Sequence, residues 1–448
     1  MVLDLGALGA RRIGRLLTLV VIALLAALFR ALGPVEGLAT NTMLLGFLLL
    51  AAFVAGELAR ELRLPKITGY LVIGILFGPH VLRLLPQETV EGFRLINGVA
   101  LSVIALQAGG ELRLSHAGER LAGILTTTVL QIVLVLVGVA AVVFSARGLF
   151  PALDGHGFRV VLAVALIFGL VAVANSPATV IAVMTELRAR GPLADAVLGV
   201  SVLKDVLILL LIAVVIPAAV VLVEPARGFD FRQVGELSLT IALALASGAL
   251  VGWLIGLYLE KVAAQPILFV LAVAFAIVEL AEVLGLESEF YILMSMSAGF
   301  VVQNFSIQGP RFVRALEANT LPVYALFFSV AGADLNLEVI PVVWKAGIVI
   351  IVARAALMSM STYLAAAAAR ELPVIRRHAW TGFLAQAGVT LTLATIVRER
   401  FAAWGGEEVA AIVIAMIAVN QLIGPPLFRF SLLTAGESNL DSVRSATR

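Results

Sequence analysis

Three charged residues stand deep inside apolar runs of this 448-residue chain. Lys204 and Asp205 adjoin in SVLKDVLILL (201–210), and Arg354 lies in IVIIVARAALMSM (348–360). Lys204 is about twelve residues from either edge of its run, or ~18 Å along a helix, further than a lysine stem reaches to water. A charge at that depth costs about 2.5–3.5 kcal/mol on insertion scales, so two adjacent ones point to function rather than packing. A carboxylate there can hold a cation or a proton in turn. A guanidinium stays protonated and must meet a carboxylate or carbonyl oxygens; Asp205 and Glu279 are the candidate carboxylates. Neighbours on a helix project about 100° apart, so Lys204 and Asp205 are expected to have different principal partners.

Two interruptions lie near these charges in the sequence pattern. Asn175-Ser176-Pro177 falls mid-run, where proline removes an N–H and clashes with the preceding turn. Gln386-Ala387-Gly388-Val389-Thr390-Leu391-Thr392 has no proline, but Gly388 and two threonines weaken a helix there. An opened helix in hydrocarbon is tolerated only where it faces protein or a water-filled cavity. Paired interruptions at matching positions mark the midplane site of many transporters. Asn175, Ser176, Thr179, Gln386 and Thr390 are therefore candidate ligands, with Pro177 and Gly388 as the breaks. A plain proline kink is the simpler account of Pro177 taken alone.

The elements that carry these residues follow from composition. Sixty-one per cent of the chain is hydrophobic and 13% charged, against about half and about a quarter in soluble domains. Mean hydropathy is +1.09. The apolar runs are continuous rather than alternating, so they are read as membrane helices and not barrel strands. The chain has no cysteine and four histidines, His80, His116, His156 and His378, at or near loops without ligand spacing; no metal site, cofactor or nucleic-acid partner is expected. No nucleotide loop or nucleophile triad appears, so an enzyme is not expected either. Glu57, Glu111, Asp195, Asp334 and Lys345 sit near run ends, where solvation or capping is the simpler role. GILFG (74–78) and Gly248, Gly252 and Gly256 read as close helix packing or a dimer seam.

Fourteen apolar segments are read: 13–32, 42–59, 67–84, 95–111, 121–146, 159–186, 192–223, 235–259, 266–285, 290–305, 319–334, 339–368, 379–397 and 407–428. With the N-terminus inside, alternation places nineteen Lys and Arg on the cytoplasmic side and nine on the other, which favours both termini in the cytoplasm. Segment 13–32 is taken as a retained helix rather than a signal peptide. AGGELRL (108–114) echoes AGADLNL (331–337), and the two interruptions echo each other at a similar offset. The expected fold is therefore an all-α polytopic membrane protein of about 13–14 helices. Residues 1–40 form an extra N-terminal helix, 41–223 and 263–430 two inverted six-helix repeats, 224–262 a linker helix, and 431–448 a short cytoplasmic tail.

PKITGYLVIGILFGP (65–79), FFSVAGADLNL (327–337) and GVSVLKDVLILL (199–210) together resemble motifs of the monovalent cation:proton antiporter superfamily, in the branch of bacterial sodium/proton and potassium-efflux antiporters. The resemblance covers about residues 40–430. It implies an antiporter fold with two crossed, unwound helices, a homodimer in the bacterial inner membrane among lipid, and an elevator-type movement of a core domain. Asp205 matches the acid that takes cation and proton in turn, and Arg354 matches a basic position near it. Lys204 departs from the pattern, which has Asp, Asn or Gln there. The expected function is exchange of Na⁺ or K⁺ for protons. Two alternatives stay open through Lys204: a proton-coupled anion transporter, and a non-transporting membrane sensor in which this lysine fills the cation site.

Overall fold

A computed structural model describes residues 5–438, without 33–37, 151–152, 154, 226–227, 230, 263–264, 336–339 and 388. Gly388, the end of the AGADLNL echo and the tail from 439 onward lie outside the described residues. The described residues form helices and no strand. In order they are α1 (Leu5–Leu32), α2 (Leu38–Glu61), α3 (Lys66–Phe77), α4 (Gln87–Gly92), α5 (Arg94–Glu111), α6 (Leu114–Ser145), α7 (Phe158–Val173), α8 (Pro177–Leu187), α9 (Pro192–Val223), α10 (Phe231–Lys261), α11 (Pro266–Val283), α12 (Ser288–Phe305), α13 (Gly309–Ala333), α14 (Ile340–Ala368), α15 (Pro373–His378), α16 (Val389–Arg400) and α17 (Gly406–Thr434).

Each of the fourteen apolar segments falls on a helix or a broken helix pair. Among the described residues nine are long and apolar enough to cross a bilayer, with α7 and α8 counted together. The chain is an integral membrane protein. Two details differ from the sequence reading. The segment 67–84 stops being helical at Phe77, because Gly78, Pro79 and the following turns end α3, and the short surface helix α4 follows Pro86. The segment 379–397 is divided, with α15 leading into a 3-10 turn over Ala379–Phe383 before α16 begins.

Burial orders the bundle. Residues 163–173 of α7 are almost wholly buried, so the first broken helix runs through the protein centre. At the other extreme, Leu16, Leu17, Val20, Val21 and Leu24 of α1 are exposed and apolar, as a lipid-facing surface requires.

Glycine permits the closest helix contacts. A Cβ on Gly109 of α5 would strike the Met296 carbonyl of α12, and one on Gly299 would strike the Leu106 carbonyl in return. Gly74 and Gly332 do the same for α3 and α13, against Ser329 and Leu71. Gly248 and Gly252 bring α10 onto Met294 and Ala298 of α12. The small-residue patterns at 74–78 and 248–256 are thus spent on packing within the chain, not on a seam between chains. Small residues suit this because packing in lipid rests on close backbone approach.

Ion pairs mark one end of the bundle. Glu57 meets Lys66 at 2.6 Å and also pairs with Arg60, and Arg15 meets Glu61 at 2.5 Å. Arg190 joins Glu111 at 2.9 Å and also pairs with Glu317. Arg120 and Glu371 are 3.3 Å apart. The same face holds the end of α17, and Glu437, three residues beyond it, accepts from the Leu193 and Ala194 amides at 2.7 and 2.8 Å. We call this the C-terminal face. The Arg94–Glu282 pair lies on the opposite face.

Candidate functional site

The two broken helices cross at their breaks. α7 ends at Val173 and α8 starts at Pro177, with Ala174 and Ser176 extended between them and Asn175 non-helical. Ser176 is the N-cap of α8: its hydroxyl accepts from the Thr179 amide at 3.2 Å and from the Thr179 hydroxyl at 3.0 Å. Pro177 therefore stands at a first helical position, where a missing N–H costs nothing. The break is an end and a restart, not a kink. In the second broken helix, residues 384–387 are non-helical. The strands of chain meet directly, the Ser176 amide donating to the Ala385 carbonyl at 2.9 Å.

Two side chains hold this crossing. Gln386 donates to the Val171 carbonyl at 2.8 Å and accepts from Asn420 of α17 at 2.8 Å. Arg354 of α14, wholly buried, makes four bonds: to the carbonyls of Ala172, Ala174, Phe383 and Leu384, all at 2.7–2.8 Å. These carbonyls end α7 and the 3-10 turn before the second break. The last carbonyls of a helix lack partners within it and carry its negative dipole end. A fixed cation placed between two such ends satisfies both. Arg354 therefore meets carbonyl oxygens. The carboxylate partners named from the sequence are corrected: Glu279 is exposed on α11, and Arg354 makes no ion pair with it or with Asp205 among the described residues. Its run position showed that Glu279 lay within a span, but not which side of α11 faces lipid.

Lys204 and Asp205 part company, as a 100° separation dictates. The wholly buried Lys204 ammonium donates to Gln131 Oε1 of α6 at 2.7 Å and lies 4.8 Å from the Phe383 ring centroid. Gln131 in turn donates to the Thr362 hydroxyl of α14 at 2.7 Å. Lysine thus faces α6 and α14. Asp205 faces the other way, into a cavity of about 50 Å³ lined by α5 (Ile104, Ala105), α12 (Ile292, Met296), Phe327 and both breaks (Asn175, Ser176, Ala387, Val389). Asp205 is half-buried and makes no hydrogen bond or ion pair among the described residues. The charges acting on it are those of Glu289 on α12 and of Lys204.

Unpartnered polar atoms gather around this carboxylate. Among the described residues both amide atoms of Asn175 are buried without a hydrogen bond, as are the hydroxyls of Thr390 and of Ser201, one turn before Asp205 on α9. Native interiors satisfy nearly all such groups, so a cluster beside one acid points to a ligand. The helix starts of α8 and α16 bring positive dipole ends to the anion. Of the residues named from the sequence, Asn175, Ser176 and Asp205 line the cavity; Gln386 and Arg354 hold the crossing; Thr179 bonds to Ser176 at the start of α8; Thr390 is buried next to the lining residue Val389; Lys204 and Arg354 line none of the cavity. Gln131, Asn420 and Glu289 were missed. Gln131 was legible as the one amide in the apolar run of α6.

A family model described as sodium/hydrogen exchanger, transmembrane, matches residues 47–432. The chain belongs to the sodium/hydrogen exchanger family. The exchanger fold recurs in solved structures of the sodium proton antiporter MjNhaP1 from Methanocaldococcus jannaschii. One, at pH 8, has a TM-score of 0.62 and 16% identity, covering 88% of this chain and 98% of that one. The other, from an electron-microscopy map, has a TM-score of 0.65 and 16% identity, covering 90% and 97%. No curated protein matches the chain. At this identity the likeness establishes a shared fold. The exchanger family is one of transporters, and it implies cations and protons as the species handled.

Proposed function

We propose that this exchanger carries Na⁺, with K⁺ as the competing candidate, against protons on Asp205. One observation carries the reading: a half-buried carboxylate with no fixed partner, facing a small cavity beside the unpartnered Asn175 amide at the crossing of two broken helices. Such a carboxylate has two ways to offset its charge in a membrane, a proton or a bound cation, and the two exclude each other on one oxygen pair. Asn175, Ser176 and Thr390 supply neutral oxygens suited to a monovalent ion. Arg354 supplies no ligand; it keeps the breaks crossed while the site empties and fills.

Alternating access follows if the crossed helices move as a body past α5, α12 and α13, the elevator mode the family resemblance implies. A homodimer in a bacterial inner membrane, as the family resemblance implies, completes the proposal, with both termini cytoplasmic as the Lys and Arg asymmetry favours. The anion-transport alternative loses ground because neither Lys204 nor Arg354 lines the cavity. The tethered-cation alternative loses ground because Lys204 bonds to Gln131 instead. In proteoliposomes with a trapped pH dye, a Na⁺ or K⁺ pulse should move protons. A response to chloride alone, or to neither cation, would contradict exchange.

A further inference from the structure

A polar pair joins α12 and α16, three residues from Ile292 and from Val389, which line the Asp205 cavity. Thr392 of α16 donates its hydroxyl to Glu289 Oε1 of α12 at 2.6 Å. Glu289 also accepts from Ser288 at 3.1 Å. Helical register places the pair. Ile292 and Met296 line the cavity, and Glu289 precedes them by three and seven residues, so it shares their face one turn nearer the helix start. Val389 lines the opposite wall, and Thr392 stands three residues beyond it on α16. The two helices run in opposite senses here, so both positions lie one turn further toward the face opposite the chain's C-terminal end.

Three features separate Glu289 from an ordinary first-turn acid. Its carboxylate reaches across to another helix instead of capping its own. It is half-buried, and no basic side chain pairs with it among the described residues; the nearby Arg94 is paired with Glu282 at 3.7 Å. Its charge acts on Asp205. The hydrogen bond also joins parts of the bundle that otherwise pack separately: α12 rests on α10 and α5, whereas α16 rests on α17 and α7.

We infer that Glu289 is a second cation-binding carboxylate, a station one helical turn outside Asp205 that receives a monovalent cation and hands it inward, while its bond to Thr392 closes the cavity mouth. The inference rests on the antiport reading. A cation taken by Glu289 draws the carboxylate away from the threonine hydroxyl, which opens the mouth to the cavity below. Any relative movement of α16 and α12 must break the same bond.

The test is cation-driven proton flux in proteoliposomes at fixed pH over a range of Na⁺ concentrations. Glu289→Gln keeps the bond acceptor and removes the charge. It should raise the KM for Na⁺ by about tenfold, equivalent to about 1.4 kcal/mol, with kcat changed less than about twofold. Glu289→Asp should recover part of the loss, and Thr392→Val, which leaves the carboxylate, should keep KM within about twofold of wild type. A purely structural role would lower kcat and protein yield and leave KM in place. Wild-type exchange with an unmoved KM in Glu289→Gln overturns this inference alone. A wild-type protein that exchanges neither Na⁺ nor K⁺ overturns the antiport reading and this one with it.

Discussion

Lys204 and Asp205 are adjacent in sequence yet turn to different neighbours around α9, the lysine bonded to Gln131 on α6 and the aspartate turned into the cavity at the helix crossing. Adjacent opposite charges in an apolar span invite the assumption of a mutual pair. Here the pair is avoided, which leaves the carboxylate without a fixed partner and gives the lysine a structural one.

That arrangement sets the outcome of removing the lysine. Lys204→Met keeps the volume and removes a wholly buried charge held by one amide oxygen and a ring. Replacing buried charge with apolar side chains is often neutral or stabilising by about 1–4 kcal/mol. Gln131→Leu, by contrast, strips the ammonium of its acceptor and should destabilise by about 1–3 kcal/mol. The double variant should recover most of that loss, a coupling readable by thermal unfolding in detergent. Cation-driven proton flux should survive in Lys204→Met; its abolition would show that the lysine itself titrates in the cycle.

Arg354 offers a different expectation. Its loss leaves four carbonyl oxygens at the breaks without donors, each costing about 1–3 kcal/mol when buried. Arg354→Gln should lower the unfolding temperature sharply, and Arg354→Lys, with fewer and less spread donors, should fall between it and wild type. An unfolding temperature unchanged in Arg354→Gln would mean that the crossing is held by Gln386 and the Ser176–Ala385 bond alone.

Asn175 tests the neutral part of the site. Its amide has no hydrogen-bond partner among the described residues, so Asn175→Ala removes no hydrogen bond that holds the fold. The unfolding temperature of Asn175→Ala should stay near that of wild type, and the KM for Na⁺ should rise about three- to tenfold. A lower unfolding temperature with an unmoved KM would assign Asn175 to packing instead.

The end of α17 carries a pH-dependent contact outside the membrane. Burial pushes the Glu437 carboxyl up from its ordinary range, against the Leu193 and Ala194 amides, which pull it down. A carboxyl that binds its proton more tightly docked than free favours the docked state most at low pH. That contribution is complete below the free Glu value, about 4.3, and is lost as pH rises through the raised one. Hydrogen exchange at Leu193 and Ala194, corrected for intrinsic rate, should therefore show protection falling as pH rises. Glu437→Gln should flatten the trend; a trend unchanged in that variant would place the titrating group elsewhere.

Much of the fold was legible because membrane helices announce themselves by continuous apolar length, and the deep charges stood out against it. Asp205, Asn175 and Ser176 could be grouped because a proline and a polar triplet mark a break that hydrocarbon alone would not tolerate. What the sequence could not supply was direction around the helix axis. Glu279 sits in a span as Asp205 does, yet α11 turns it outward. Gln131 and Asn420 are single amides whose worth depends on which buried group faces them. Glu289 lay at the least certain span boundary, where an acid reads as a helix start until Thr392 is brought opposite it. The small-residue patterns fitted a dimer seam as well as internal packing, and only the positions of α12 and α13 decide between them.

The central claim is that one carboxylate exchanges cation for proton. It is tested most directly by the protons released when Na⁺ or K⁺ binds purified protein in a weakly buffered solution above the pKa of free carboxyls. Wild type should release protons on binding, and Asp205→Asn should neither bind the cation nor release protons while unfolding near the wild-type temperature. Cation binding and proton release that persist in Asp205→Asn would contradict the account.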